Sequence, residues 1–435
     1  MPLMETLRQA WADEELRRKL LFVMGMFAVF ALGINVPVPI PGISSAELTE
    51  RVKQLNLPFF QLLDVFGGGG LRRLSIFALG MNPYITASII MQILTQAYPS
   101  WKQELKEGGE YARRQQNKRT RMLTIVLCVF QSLGLIGLLN QALPPEAQTM
   151  FIKFTVVLFW TSGAMFVLWL GEQISEKGIG NGVSLMIFAG IILSLPNQVR
   201  QVWGAYQEGF AQWWQLGLLL LLFLGTTWLI VLFTISQRRI PIQHMRRVVG
   251  TKMMGGQTSY LPLSVVMAGV IPLIFAVSLI YIPQQFASMF APTSPIHLTL
   301  IEIGSWLNPA SPFPKGLVAS VVYTALIFFF TYFYTAIQFN VDDISDNLKR
   351  GGSFIPGVRP GKQTRDFLDG VISRITIAGA GFLAFVALIQ YVAWSLTGIQ
   401  AISIIGGTSL LIMVSVALET MRQIEASLLM KHYGQ

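Results

Sequence analysis

Ten apolar runs, at residues 20–34, 74–94, 122–139, 154–170, 183–195, 216–235, 263–282, 317–337, 375–394 and 402–418, constrain this chain more than any other feature. Many approach the ~20 residues that a helix needs to cross a bilayer. A single water-soluble core cannot bury so many. In lipid each run must close its own backbone hydrogen bonds, so each is expected to be helical. Composition agrees, with 53% of the 435 residues hydrophobic and 12% charged, against about 25% charge in soluble chains. The expected fold class is an all-α polytopic membrane protein of ten transmembrane helices. The fifth run is short, and its helix is expected to extend through Gly180 to Gly182 or through the residues after Pro196.

One span is broken open. Phe59 to Leu63 begins like a membrane helix, but Asp64, four glycines (Gly67 to Gly70) and Arg72-Arg73 interrupt it before the run at 74–94 resumes. Glycine-rich backbone and adjacent arginines are costly in lipid. Such a segment persists only where protein buries it or where it lines a water-filled cavity. It points to a channel or carrier with a movable element that does not face lipid.

The net charge of +10 is unevenly placed. Lys and Arg number four before the first span, seven between spans two and three, five between spans six and seven, and five in loop 338–370. The loops after spans three, five and seven hold one each, and the loop after span nine holds none. The positive-inside rule then places both termini and the rich loops in the cytoplasm. Residues 1–19 are charged and amphipathic, and no small-residue cleavage site follows the first span, which is expected to stay as an anchor. Two basic loops, 236–262 and 338–370, exceed what a connection needs; long loops are often functional, although topology signalling alone explains such charge. Apolar/basic alternation before Met253 suggests a short hairpin or extended strand. Gly361-Lys362 makes no nucleotide site, because Pro356 and Gln363 replace the required Gly and Ser/Thr.

Five spans on each side of residues 195–215 would make the halves cross the membrane in opposite senses, as in inverted-repeat transporters, with a pathway between them. No residue-level repeat is evident. Span interiors are almost free of ionisable groups, which argues against an ion-coupled carrier. Branched pairs four residues apart recur instead: Ile85 with Ile89, Val183 with Ile187, Val270 with Ile274, Thr408 with Ile412. Facing one another they would make an apolar gate; ordinary helix packing or lipid contact would use the same spacing. Pro83 and Pro272 precede two of these pairs and are expected to bend their helices. Cys128, the single cysteine, excludes an internal disulfide and reads as a small buried residue; His244, His297 and His432 are scattered, with no metal cluster.

Four stretches carry a resemblance: SIFALGMNPYITASIIMQ at 75–92, GEQISEKGIGNGVS at 171–184, MAGVIP at 267–272 and GGTSLLI at 406–412. In order and along the whole length, they resemble the SecY family, the central channel-forming subunits of the bacterial Sec protein translocase. The resemblance implies two pseudo-symmetric inverted halves, 20–200 with spans one to five and 201–420 with spans six to ten, hinged at the fifth-to-sixth connection. Residues 1–19 and 421–435 become cytoplasmic tails, and about 58–74 a plug half-helix.

Site residues follow from the same resemblance. The pore ring would be Met81, Ile85, Val183, Ile187, Ile274 and Ile412, with Met81 departing from the usual branched residue. The plug would hold Asp64, Val65, Phe66, Gly67, Gly68, Gly69, Gly70, Leu71, Arg72 and Arg73. Thr86, Ile90, Gln92, Asn181 and Ser278 would border a lateral gate. Arg246, Arg247, Lys349, Arg350 and Arg359 would contact a motor or ribosome. The implied partners are SecE-like and SecG-like small subunits, a SecA-like motor ATPase, the ribosome, signal peptides, unfolded preproteins, membrane lipid and auxiliary Sec membrane proteins. The implied setting is the inner (plasma) membrane, with no cofactor and no covalent chemistry. Without the resemblance, a small-solute inverted-repeat transporter is the alternative.

Overall fold

The computed structural model describes residues 3–40, 64–65, 67–139, 149–209, 211–244, 247–249, 252–254, 258–287, 290, 294–397 and 407–433. Among these, ten helices carry the ten apolar runs. They are α2 (Glu14–Ile34), α3 (Asn82–Ala97), α5 (Gly109–Leu139), α6 (Met150–Lys177), α7 (Gly182–Gln207), α8 (Trp213–Ile235), α9 (Ile271–Ala287), α11 (Lys315–Gln338), α13 (Lys362–Thr397) and α14 (Thr408–Tyr433). Shorter helices are α1 (Leu3–Ala12), α4 (Pro99–Glu107), α10 (Pro295–Leu307) and α12 (Val341–Arg350). Six of the ten are long and apolar enough by themselves to cross a membrane. The fifth run reaches its length past Pro196, which α7 carries inside.

The runs at 74–94 and 263–282 are only partly helical, and the reason is local. Gly80 and Gly269 take positive φ (53° and 61°), which ends any preceding helical path. Three residues later Pro83 and Pro272 stand in the first turns of α3 and α9, where a missing N–H costs nothing. The two prolines therefore start these helices and do not bend them, contrary to the sequence expectation. Gly180 and Gly407, also at positive φ (97° and 72°), stand just before α7 and α14. Spans two, five, seven and ten thus share one way of beginning, a correspondence between the halves that the residue strings did not display.

One apolar cluster runs through both halves. It includes Phe30 and Ile34 of α2, Trp160 of α6, Ile187 of α7, Phe275 of α9, Tyr323 of α11, Leu383 of α13 and Ile412 of α14. Cys128 is buried within it. A second core lies under the basic loops. There β1 (Gln237–His244) pairs antiparallel with β4 (Thr258–Ser264), so the hairpin spans more of loop 236–262 than the stretch before Met253, and β2 (Arg247–Val249) and β3 (Lys252–Met254) pair with each other in a separate two-stranded sheet. β5 (Ser353–Phe354), from the other basic loop, joins the far edge of β1. Ile240, Leu263 and Ile355 bury beneath this sheet against Leu368 and Ile372 of α13.

Candidate functional site

A cavity of about 640 Å³ opens among α3, α5, α6, α7, α9, α11 and α14. Its walls change character with depth. Ile85 of α3, Val183 and Ile187 of α7 and Ile274 of α9 are apolar lining residues, whereas Arg121, Glu172, Glu176, Glu419 and Gln423 are polar ones. Chain order gives the direction. Along α3 the lining passes from Ile85 through Ser88 to Gln92, toward the basic loop ahead of span three. Along α14 the lining residues are Glu419 and Gln423, toward the C-terminal tail. The mouth therefore faces the basic loops and the apolar floor lies deeper.

Four of the six expected ring residues, Ile85, Val183, Ile187 and Ile274, line this floor. Met81 and Ile412 are buried in the same apolar cluster without lining the cavity. The turn that delivers Val183 is tightly built. Asn181 caps α7, accepting from the Val183 and Ser184 N–H groups at 3.1 and 3.3 Å. The Gly182 N–H donates to Ser175 Oγ at 2.9 Å. A Cβ at Gly182 would stand 1.7 Å from the Gly171 carbonyl oxygen, so only glycine allows α6 and α7 this approach.

Beneath the floor sits the glycine-rich segment. Asp64 and Val65 are helical, and 67–74 are successive turns closed by bonds such as Gly69 N–H to Asp64 O at 2.7 Å. Phe66 and residues 58–63 lie outside the described residues. Val65, Leu71 and Leu74 join the cluster that holds Met81, Ile85, Ile187 and Ile412. A Cβ at Gly68 would lie 3.5 Å from the Gly190 Cα of α7, and one at Gly69 3.6 Å from Asn197 Nδ2. Along α7 the order is thus Asn181 at the cavity, Val183 and Ile187 at its floor, then Gly190 and Asn197 against the glycine segment.

That segment is held by few bonds. Buried Asp64 accepts from the Arg72 backbone N–H at 3.0 Å and pairs with Arg72 Nε at 2.9 Å. A charge buried there persists because it is paired and hydrogen-bonded at once. Arg73 donates to Asn35 Oδ1 at the end of α2. Val38 N–H donates to Leu74 O at 2.9 Å, and Ile76 N–H to Val36 O at 3.0 Å. Leu74, non-glycine at φ 46°, is strained to make this join.

Along the wall, α3 and α9 touch. Thr86, Ile90 and Gln92 of α3 and Ser278 of α9 are half-buried. Thr86 Oγ1 donates to Asn82 O at 3.1 Å, and Gln92 Nε2 to Ser88 Oγ at 3.2 Å. Toward the sheet, Lys349 and Arg350 end α12 in the open, and Arg359 is exposed beyond it, its carbonyl accepting from Thr364 Oγ1 at 2.9 Å. Arg246 and the Arg247 side chain lie outside the described residues. Sequence reasoning missed the ion pair at the mouth, Arg121 Nε to Glu172 Oε1 at 2.7 Å, since 51 positions separate the partners. It also missed Gly190, which nothing in the sequence sets apart from other helical glycines. Among the described residues no His/Cys/Asp/Glu group could hold a metal.

The SecY family model matches residues 75–421. The chain belongs to the SecY family. It is 40% identical over 427 residues to the protein translocase subunit SecY of Escherichia coli, covering 96% of this chain and 93% of that one. To the same subunit of Aquifex aeolicus it is 39% identical over 435 residues, covering 99% and 98%. Its fold is similar to that of a solved protein-conducting channel, with TM-score 0.66, 19% identity and coverage of 94% and 91%. A SecY structure, solved in work on the plug domain's stabilisation of the closed channel and its membrane seal, gives TM-score 0.65 at 18% identity, with coverage of 94% and 91%. A canine ribosome-channel complex from the endoplasmic reticulum contains a third similar chain, with TM-score 0.63, 17% identity and the same coverage. SecY-family chains are multi-pass membrane proteins, subunits of a channel and not enzymes.

Proposed function

We propose that this chain is the central pore subunit of a channel that passes unfolded secretory polypeptides across the membrane and releases membrane spans sideways into lipid. The observation that carries the reading is the order polar mouth, apolar floor, glycine segment along α7, of which α3 repeats mouth and floor, Gln92 then Ile85, in the opposite chain direction. It describes a shut conduit: a wet funnel, a ring and a plug.

An unfolded polypeptide presents no constant side chain, so the conduit must be chemically indifferent. A ring of Ile85, Val183, Ile187 and Ile274, backed by Met81 and Ile412, offers no hydrogen bonds and no charge. It closes around any chain without holding it, and it stops ions by excluding their water. Plug residues 64–73 seal the idle state. A signal peptide enters between α3 and α9, past Thr86, Ile90, Gln92 and Ser278. Roughly eight apolar residues at ~0.5 kcal/mol each favour its transfer to lipid. Asn181 caps the helix that carries two ring residues and so holds the ring's geometry.

The halves 20–200 and 201–420 hinge at the α7–α8 connection. Mouth, basic loops and both termini face the cytoplasm, as the positive-inside rule requires, in the inner (plasma) membrane. Exposed Lys349, Arg350 and Arg359, with Arg246 and Arg247, meet a SecA-like motor ATPase or the ribosome, which supplies the driving energy. SecE-like and SecG-like subunits and auxiliary Sec membrane proteins complete the assembly. The test is crosslinking from Ile187 and Ile274 to a stalled secretory precursor in proteoliposomes. Crosslinks at both, lost without the motor, are expected. Their absence at both, with flux of a small solute instead, overturns the reading.

A further inference from the structure

Helix α10 is apolar yet belongs to no span. It has 13 residues, about 20 Å at ~1.5 Å per residue, too short to cross a bilayer. One stripe turns inward: His297 and Gly304 are buried, His297 Nδ1–H donates to Ala287 O at 2.7 Å, and Gly304 lies over Gln284. The rest of its circumference exposes Ile296, Leu298, Ile301, Ile303 and Trp306 alongside Thr299 and Glu302, the helix's sole carboxylate. A helix apolar on nearly every side is stable only when something apolar covers it. After it, Phe313 is 84% exposed.

The element is also rigid. Ser311 Oγ donates to Ser305 O at 2.7 Å, and Lys315 Nζ donates to Ser305 Oγ at 3.1 Å while sitting 5.4 Å from the centroid of the Trp306 ring. The end of α10 is thus tied to the start of α11. Two observations identify what covers them. The helix that follows, α11, is a membrane span whose first turns also expose apolar side chains, Leu317, Val318 and Val321. A tryptophan with a lysine amine beside it, at the start of that span, matches the headgroup level of a bilayer, where the ring's apolar body and the amine each meet their own medium.

We propose that α10 and Phe313 lie in the membrane, as an interfacial wedge at the boundary of headgroups and acyl chains in the leaflet on the plug side. The wedge fixes the depth of the α9–α11 connection, and so the depth at which the α9 edge of the lateral seam meets lipid. It rests on the multi-pass reading alone and stands whether or not the chain conducts polypeptides.

The test places an environment-sensitive NBD label at Leu298→Cys, Ile301→Cys and Phe313→Cys in the full chain, in phosphatidylethanolamine/phosphatidylglycerol vesicles. Cys128 is buried and stays unlabelled in the folded protein, and Arg359→Cys is the aqueous reference. Blue-shifted emission is expected at all three, quenched about twofold or more by lipid carrying a nitroxide near its headgroup and little by iodide. Quenching by iodide without quenching by lipid would put the element in water and overturn the proposal. Shielding from both quenchers would mean a protein covers it, a partner subunit or a second copy, and would overturn it equally. Phe313 is so exposed that its replacement removes little packing, which keeps the test decisive should either helix variant fail to fold.

Discussion

Around the cavity floor, Ile85, Val183, Ile187 and Ile274 meet with no polar atom among their side chains, and beneath them the glycine segment is closed mainly by its own backbone. In the loop sheet, His244 stands between Ser353 Oγ at 2.7 Å and Ser259 Oγ at 3.1 Å, β1 is paired on both edges, and Ser345 Oγ donates to Gly361 O at 3.0 Å. One region is built from contacts that any branched side chain could exchange. The other is built from directional bonds that fix individual atoms. The contrast fits their proposed tasks, since a ring must yield to every sequence while a docking platform must present one fixed surface.

The largest effect is expected at the plug. Deleting residues 64–73 is expected to raise resting ion conductance by about tenfold or more, because the ring alone must then hold back ions; unchanged conductance in planar bilayers would remove the plug from the argument. A milder perturbation is Gly68→Val. Gly68 is at φ 69° and a Cβ there would approach Ile34 Cδ1 to 2.5 Å. The left-handed conformation alone costs a non-glycine residue about 1–2 kcal/mol, so the shut-to-open ratio should fall roughly tenfold. The same bilayer recording reads it, with Gly217→Ala, which meets nothing within 4 Å, as the control.

On the platform side, Arg359→Glu is expected to abolish most motor-driven secretion while leaving resting conductance and thermal stability unchanged. Normal secretion by that variant would deny the exposed loop its role. Ser353→Ala should be subtler. Removing a hydroxyl partner of His244 costs about 1 kcal/mol, visible as several-fold faster amide exchange along β1 and β5, with no change at the ring.

The smallest effect concerns the tails. Lys431 Nζ reaches Asp13 Oδ1 at 3.0 Å and Glu15 Oε2 at 2.7 Å, and Thr6, Ala10 and Leu16 pack or bond against the end of α14. Hydrogen bonds from Lys19 and Lys431 lower the Glu15 carboxyl to about 2 from 4.5, and Asp13 is lowered by the Leu16 N–H and by Lys431. Both carboxylates, their folded values depressed, add stability above the ordinary value and lose it as pH falls through the depressed one. Lys431 is raised above 10.5 by the same partners, so its share is lost as pH rises past that value. The distance between spin labels on the two tails should therefore stay constant near neutrality and widen between pH 4.5 and about 2; widening near pH 7 would refute the clamp.

The spans were legible because length and hydrophobicity are properties of a string. The hairpin was legible too, because Ile240 and Ile242 are buried in alternation with exposed neighbours. Where α3 and α9 begin was not, since the runs at 74–94 and 263–282 are apolar on both sides of Gly80 and Gly269, and only backbone conformation marks the start. The pairing of β5 with β1 was hidden for another reason: two residues of strand, 109 positions from His244, leave no periodic trace. At the site, motif resemblance supplied the proposed ring residues, four of which line the cavity floor, but the mouth's ion pair and the Gly68–Gly190 approach needed three dimensions.

The glycine segment's short covalent connection to α3, through residues 75–81, has a kinetic meaning. A stopper on so short a leash stays at an effective local concentration in about the millimolar range even when displaced. Its return is a first-order event that needs no diffusing partner and does not depend on how many channels a membrane holds. Each channel can then reseal at the same rate after every passage, whatever chain it has just released.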